Sequence, residues 1–180
     1  MFRILALLLS LVWLSGCSSP RIEAYADNQP EFKVQEFFQG DLVAHGVLKD
    51  RSGEVTRSFY ADLNGSWENG VGTLDEWFVF DDGERQQRTW TLTPNGDGSY
   101  TATAGDVVGA GQLETAGNAL FMQYVLRVPY DGDTIDLKVD DRMYLVTPDH
   151  LINESVLTKF GFEVASITLS IRQKAHQASE

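Results

Sequence analysis

The chain has 180 residues, 43% of them hydrophobic, a length and composition that suit one domain with its own core. Its 26 acidic against 14 basic side chains give a net charge of −12. With no Lys/Arg cluster, that balance argues against nucleic acid and against adhesion to anionic lipid headgroups. The single cysteine, Cys17, excludes an intramolecular disulfide.

Arg3 supplies a positive start and Ile4 to Leu14 an apolar run of ~11 residues, short of the ~20 that a membrane span needs. The run closes on Leu14-Ser15-Gly16-Cys17, which resembles the bacterial lipobox, whose cysteine thiol receives a diacylglycerol before cleavage leaves it as residue one. The expectation is a signal peptide over 1–16 and a lipoprotein anchored in the membrane through Cys17. Each buried CH₂ contributes ~0.8 kcal/mol, so several acyl chains make such an anchor effectively permanent. Ser18 stands where aspartate usually signals inner-membrane retention; by resemblance to that Gram-negative sorting rule, it implies the periplasmic face of the outer membrane.

Residues 17–38 read as the lipidated cysteine and a tether. Ser18 to Pro30 is polar, holds two prolines and shows no periodicity. Glu31 to Phe38 puts Val34, Phe37 and Phe38 on one side, which predicts a helical turn or two capping the end of the domain.

From 39 to 175 apolar and polar residues alternate along nearly the whole chain, and 176–180 is a tail. The rows Val55-Phe59-Ala61-Leu63, Leu120-Met122-Tyr124-Leu126-Val128 and Ile135-Leu137-Val139 have the period of two of half-buried strands. Turn residues separate the rows: Asp50 to Gly53, Asn64-Gly65, Asp81 to Gly83, Asn95 to Gly98, Ala116 to Asn118 and Asp131 to Asp133. The pattern predicts ten strands, at 41–49, 54–64, 67–80, 84–93, 98–104, 106–114, 118–129, 133–146, 150–156 and 163–172, with a further short helical turn over 156–160. Consecutive hairpins at this spacing predict an all-β fold, an up-and-down antiparallel barrel of the lipocalin or fatty-acid-binding kind (calycin-like), over a two-sheet sandwich.

The search for catalytic motifs is negative: no HExxH, no nucleophile elbow and no P-loop, so neither catalytic residue, metal nor cofactor is assigned. The glycines at 105, 109 and 111 sit in strand-like context and suggest a bulge or sharp bend. The informative signal is charge sharing parity with apolar rows: Arg57, Glu76, Arg88, Asp106 and Asp141. Buried unpaired, each would cost several kcal/mol, so these groups must pair with one another, meet water or hold a ligand. One reading is an internal salt-bridge network. The other has Arg57 or Arg88 at the anionic head of a fatty-acid or phospholipid ligand, with Phe59, Phe78, Trp90 and Tyr124 lining an apolar cavity around its chain.

Several strings together, Phe37-Phe38-Gln39-Gly40, Asp81-Asp82-Gly83-Glu84 leading to Arg88-Thr89-Trp90, Gly105 to Gly109, Gly117 to Leu120, Asp140 to Tyr144 and Lys159-Phe160-Gly161, resemble the Gram-negative lipoprotein family catalogued as domain of unknown function 3833. The resemblance runs from about Phe37 to Arg172. Arg142 departs from it, standing where the Asp-Asp-Trp-Met pattern has tryptophan. The family carries no established activity; its gene neighbourhoods, often those of fatty-acid modification, imply a link to lipids.

Three functions remain open at this level. The first is an envelope barrel that binds or carries an apolar ligand. The second is an accessory lipoprotein with a filled barrel, acting on an unidentified protein partner. The third, ranked behind these non-enzymatic readings, is a lipid-acting enzyme using Asp106, Glu76 and Asp141. The anchor has its own test. Cys17→Ser abolishes metabolic palmitate labelling of the protein if the lipobox reading holds, and persistent labelling of the variant contradicts it.

Overall fold

The computed structural model describes residues 20–174, so the expected signal peptide, Cys17, Ser18 and the tail 176–180 lie outside the described residues. Ten strands form: β1 (Gly40–Asp50), β2 (Val55–Glu68), β3 (Val71–Phe80), β4 (Arg85–Pro94), β5 (Tyr100–Thr103), β6 (Gly111–Ala116), β7 (Ala119–Tyr130), β8 (Asp133–Thr147), β9 (His150–Lys159) and β10 (Phe162–Gln173). Each pairs antiparallel with the next, and β1 pairs with β10, so the sheet closes on itself as an up-and-down barrel. Closure removes both sheet edges and sends every second residue inward. Leu42 and Ala44, Ala61 and Leu63, Leu120 and Met122, and Leu151 and Ile171 are buried on that inner face.

The hairpins explain most of the register. Asn69-Gly70, Asp131-Gly132 and Phe160-Gly161 each place two successive residues at positive φ, the two-residue turn whose twist matches that of the strands it joins. Three expectations need correction here. Asn64-Gly65 is no turn: β2 runs on to Glu68. Residues 156–159 belong to β9 and not to a helical turn, and only Phe160-Gly161 leaves the ladder. The strand expected over 106–114 starts at Gly111, because 104–110 is a loop that meets β7 only through an isolated bridge between Val107 and Leu126.

The segment read as a tether is largely part of the domain. Ile22–Tyr25 forms a 3₁₀ turn whose Ile22 is buried against Ala119 and Phe121 on the outer face of β7. The Tyr25 ring lies 5.7 Å from that of Phe121 and 5.3 Å from that of Tyr144. The backbone N–H of Phe32 then donates to the Gly117 carbonyl at 2.6 Å. The expected cap is one helical turn, α1 (Val34–Phe37), and with it Phe32, Phe37 and Phe38 join the main core cluster. The Trp67 indole donates to the Phe38 carbonyl at 3.2 Å, and the Gln173 amide donates to the carbonyls of Glu36 and Phe37 at 3.0 and 2.8 Å. One end of the barrel is thereby stoppered. At the other end, where the 50–55, 80–85, 130–133 and 159–162 connections lie, the inward-facing Leu48, Phe59, Phe78, Phe80, Ile135 and Ile167 are only half-buried.

Gly65 shows why the stopper is specific to this sequence. It points inward against the Phe38 carbonyl, and a Cβ there would overlap that oxygen. Gly65→Ala is therefore expected to destabilise the domain by about 3 kcal/mol, the upper part of the overpacking range, because a backbone carbonyl cannot swing aside as a side chain can. Gly105→Ala, with open space around its Cβ, serves as control. Equal urea midpoints for the two variants would contradict the packing described.

Candidate functional site

Above the stopper the barrel holds a cavity of about 120 Å³. The four aromatics expected to line it, Phe59, Phe78, Trp90 and Tyr124, all stand on its wall. Its floor is apolar, made by Phe38, Leu63, Leu74 and Leu120 among others. A belt of polar groups crosses it at mid-height: Glu76 on β3, Arg88 on β4, Asp141 on β8, and Asn153 and Ser155 on β9.

Local register builds this belt. Glu76 and Arg88 are direct partners in the β3–β4 ladder. Arg88 reaches past Glu76, which it meets at 3.7 Å, to Asp106 in the 104–110 loop. Nε donates to the Asp106 carboxylate at 3.0 and 3.1 Å, and Nη2 donates at 2.7 Å. Such a two-pronged pair fixes the orientation of the guanidinium. Asp141 sits across the barrel, accepting from Ser155 Oγ at 2.7 Å and from the Asn153 amide. Among the described residues, Glu76 Oε2 is buried without a hydrogen-bond partner, as is Arg57 Nε.

The electrostatics follow from burial. Loss of water raises the Glu76 carboxyl from 4.5 to about 7, against the pull of the Arg88 charge, and the neighbouring Asp141 adds to the rise. Burial also raises Asp141, although the hydrogen bonds from Asn153 and Ser155 hold it back, and it raises the Tyr124 phenol. For Arg88 burial acts downward, but the Asp106 hydrogen bonds and the Glu76 charge outweigh it and the guanidinium stays ionised. Arg88 is thus paired with Asp106, which is partly exposed on the loop, and two buried carboxylates, Glu76 and Asp141, line the cavity beside it.

Of the five charges expected to cluster, Glu76, Arg88, Asp106 and Asp141 come together, with Asp106 on a loop and not a strand. Arg57 does not join them. It sits at the open end, where Nη2 contacts Asp82 at 2.7 Å and Glu84 at 2.9 Å, with the guanidinium 3.8 Å from the Phe80 ring centre. Both arginines, expected at an anionic head, are paired with acids of this chain, Arg57 with Asp82 and Glu84 and Arg88 with Asp106. Arg142, the departure from the family pattern, is paired with Asp140 at 2.7 Å and stacked toward Phe121, beside the N-terminal segment. Asn153 and Ser155 were missed, although the row Leu151-Asn153-Ser155-Leu157 carries their inward parity in plain view.

The protein belongs to the family described as protein of unknown function (DUF3833), which matches residues 11–173. No curated protein matches it. Among solved structures, it is similar to an S-type phycobiliprotein lyase from Guillardia theta at 15% identity and a TM-score of 0.54, over 87% of this chain and 99% of that one. It is also similar to a redesigned β-barrel, mFAP1, bound to DFHBI, at 10% identity and a TM-score of 0.41, over 79% and 100% of the two chains. At these identities the likeness is one of fold.

The raised Glu76 carboxyl has a consequence for stability. The folded state holds its proton more tightly than the unfolded chain, so this contribution is complete below about 4.5 and is lost as pH rises through about 7. The loss amounts to roughly 3 kcal/mol. Glu76→Gln, which stays neutral, is expected to match wild type near pH 4.5 and to exceed it at pH 8 by that order. Denaturant melts across this range check it, and parallel curves for the two proteins would contradict the assignment.

Proposed function

We propose that this protein is a ligand-binding barrel of the cell envelope, anchored by acylated Cys17 at the periplasmic face of the outer membrane, that receives the apolar part of a small molecule through its unstoppered end. The observation that carries the reading is the 120 Å³ cavity, apolar over most of its wall and directly below the half-buried ring of Phe59, Phe78 and Phe80. A dry cavity of ~150 Å³ admits benzene, whereas whole drug-sized ligands take ~300 Å³ or more. The ligand is therefore small, or inserts one end, an aryl ring or a few methylenes of an acyl chain, and leaves the rest at the mouth. Phe160 and Phe162, 88% and 76% exposed on the β9–β10 hairpin at that same end, offer apolar surface for the remainder.

The same volume supports the second reading, a filled barrel acting through its outer surface, because side chains often fill small barrels completely. Among the described residues no histidine or cysteine lines the cavity, and Ser155 Oγ is spent on Asp141, which favours binding over nucleophilic catalysis.

Native mass spectrometry of the full chain, extracted gently from membranes, separates the two. The binding reading predicts an adduct beyond the covalent lipid that denaturation releases, and saturable uptake of a fluorescent apolar probe. Ala61→Leu, which projects into the cavity, should weaken that uptake at least tenfold. Absence of both adduct and uptake would favour the filled barrel.

A further inference from the structure

Inside the barrel, charge and hydrogen-bonding capacity are unequally matched. The Glu76, Asp106 and Asp141 carboxylates face a single guanidinium, Arg88, whose strongest bonds all go to Asp106. Glu76 is 9% exposed and lines the cavity, and among the described residues its Oε2 accepts no hydrogen bond, the Arg88 Nη1 standing 3.7 Å away. Asp141, 6% exposed, lines the same cavity and accepts only from neutral groups among its hydrogen-bond partners, Asn153 and Ser155. A buried acceptor without a donor is costly, more so when charged, and a ligand that brings the donor recovers that cost.

Resting on the ligand-binding reading, we infer that the cavity selects an apolar molecule ending in a protonated amine, whose ammonium group donates to Glu76 Oε2 and balances the acids of the belt. A carboxylate in that position would face two buried acids, Glu76 and Asp141, and an arginine already held by Asp106. A neutral hydroxyl would satisfy the orphan oxygen but leave the excess charge. The apolar floor of Phe38, Leu63, Leu74 and Leu120 and the Trp90 and Tyr124 rings then take the hydrocarbon. The groups facing Glu76 are Arg88 and Trp90 on β4, Asp106 on the 104–110 loop, Tyr124 on β7 and Asp141 on β8; of these only Arg88 is cationic. Because Glu76 ionises around 7 while an alkyl ammonium, like that of lysine, holds its proton to ~10, amine affinity should rise from pH 6 to pH 8.

The test is calorimetric titration of the full chain in phosphatidylcholine nanodiscs with four probes of nearly one size: benzylamine, benzyl alcohol, benzoate and toluene. The expected result at pH 8 is benzylamine at least tenfold tighter than any other. Its advantage should shrink toward pH 6 and be lost in Glu76→Gln and weakened in Asp141→Asn, both near-isosteric changes. Benzoate binding best, benzyl alcohol matching benzylamine, or a Glu76→Gln protein that keeps the preference would each overturn the inference. If toluene binds and benzylamine gains nothing over it, the cavity reading stands and this inference falls. If none of the four binds, the ligand-binding reading falls and takes the inference with it.

Discussion

Arg88 is the one cation in a belt of acids inside a closed barrel, and the interior depends on how it is shared. Its bidentate pair with Asp106 ties the 104–110 loop to β4, and the 3.7 Å approach to Glu76 spans the β3–β4 ladder. Asp106 is partly exposed and can reach water, so the loss of Arg88 would fall mainly on Glu76, which is buried and meets no other cation among the described residues. Here the remaining charges would all be negative. Asp141 is held separately by Asn153 and Ser155, and the one guanidinium links Glu76 on β3 to Asp106 on the 104–110 loop.

The stopper and the belt divide the barrel by chemistry. Below the belt, Phe32, Phe37 and Phe38 complete an apolar core that no strand could finish, since every strand ends at that rim. Above it, Phe59, Phe78 and Phe80 form a ring whose centroids lie 5.6–6.3 Å apart and whose faces remain partly open. A domain that only needed to be filled would gain more from apolar residues at 76 and 141 than from two acids that burial drives toward neutrality. Their presence is the argument for a ligand.

Much of the architecture was legible from the period of two, because a hairpin barrel repeats one rule: apolar in, polar out, glycine or asparagine at the bend. The rule failed where a residue answers to a partner distant in sequence. Gly65 looks like a turn glycine next to Asn64, but it is there because the Phe38 carbonyl packs on it. Residues 22–38 lack periodicity because each anchors to a different element, Ile22 to β7, Phe32 to Gly117 and Phe38 to Trp67. Parity correctly turned Glu76, Arg88 and Asp141 inward. It could not tell that Arg57, also inward, lies high enough to reach Asp82 and Glu84 at the mouth, nor that Arg88 would reach Asp106 on a loop, since pairing across the barrel is set by closure and not by spacing along the chain.

The central claim is that the barrel encloses an acid surplus with Glu76 as its unsatisfied member. The measurement that bears on it most directly is a carbon-13 NMR titration of the side-chain carboxyls in the folded protein, with the Glu76 resonance assigned by its loss in Glu76→Gln. A Glu76 midpoint near 7 is the predicted result. A midpoint at the ordinary 4.5 would mean that water or a donor already satisfies this carboxylate, and would contradict the account.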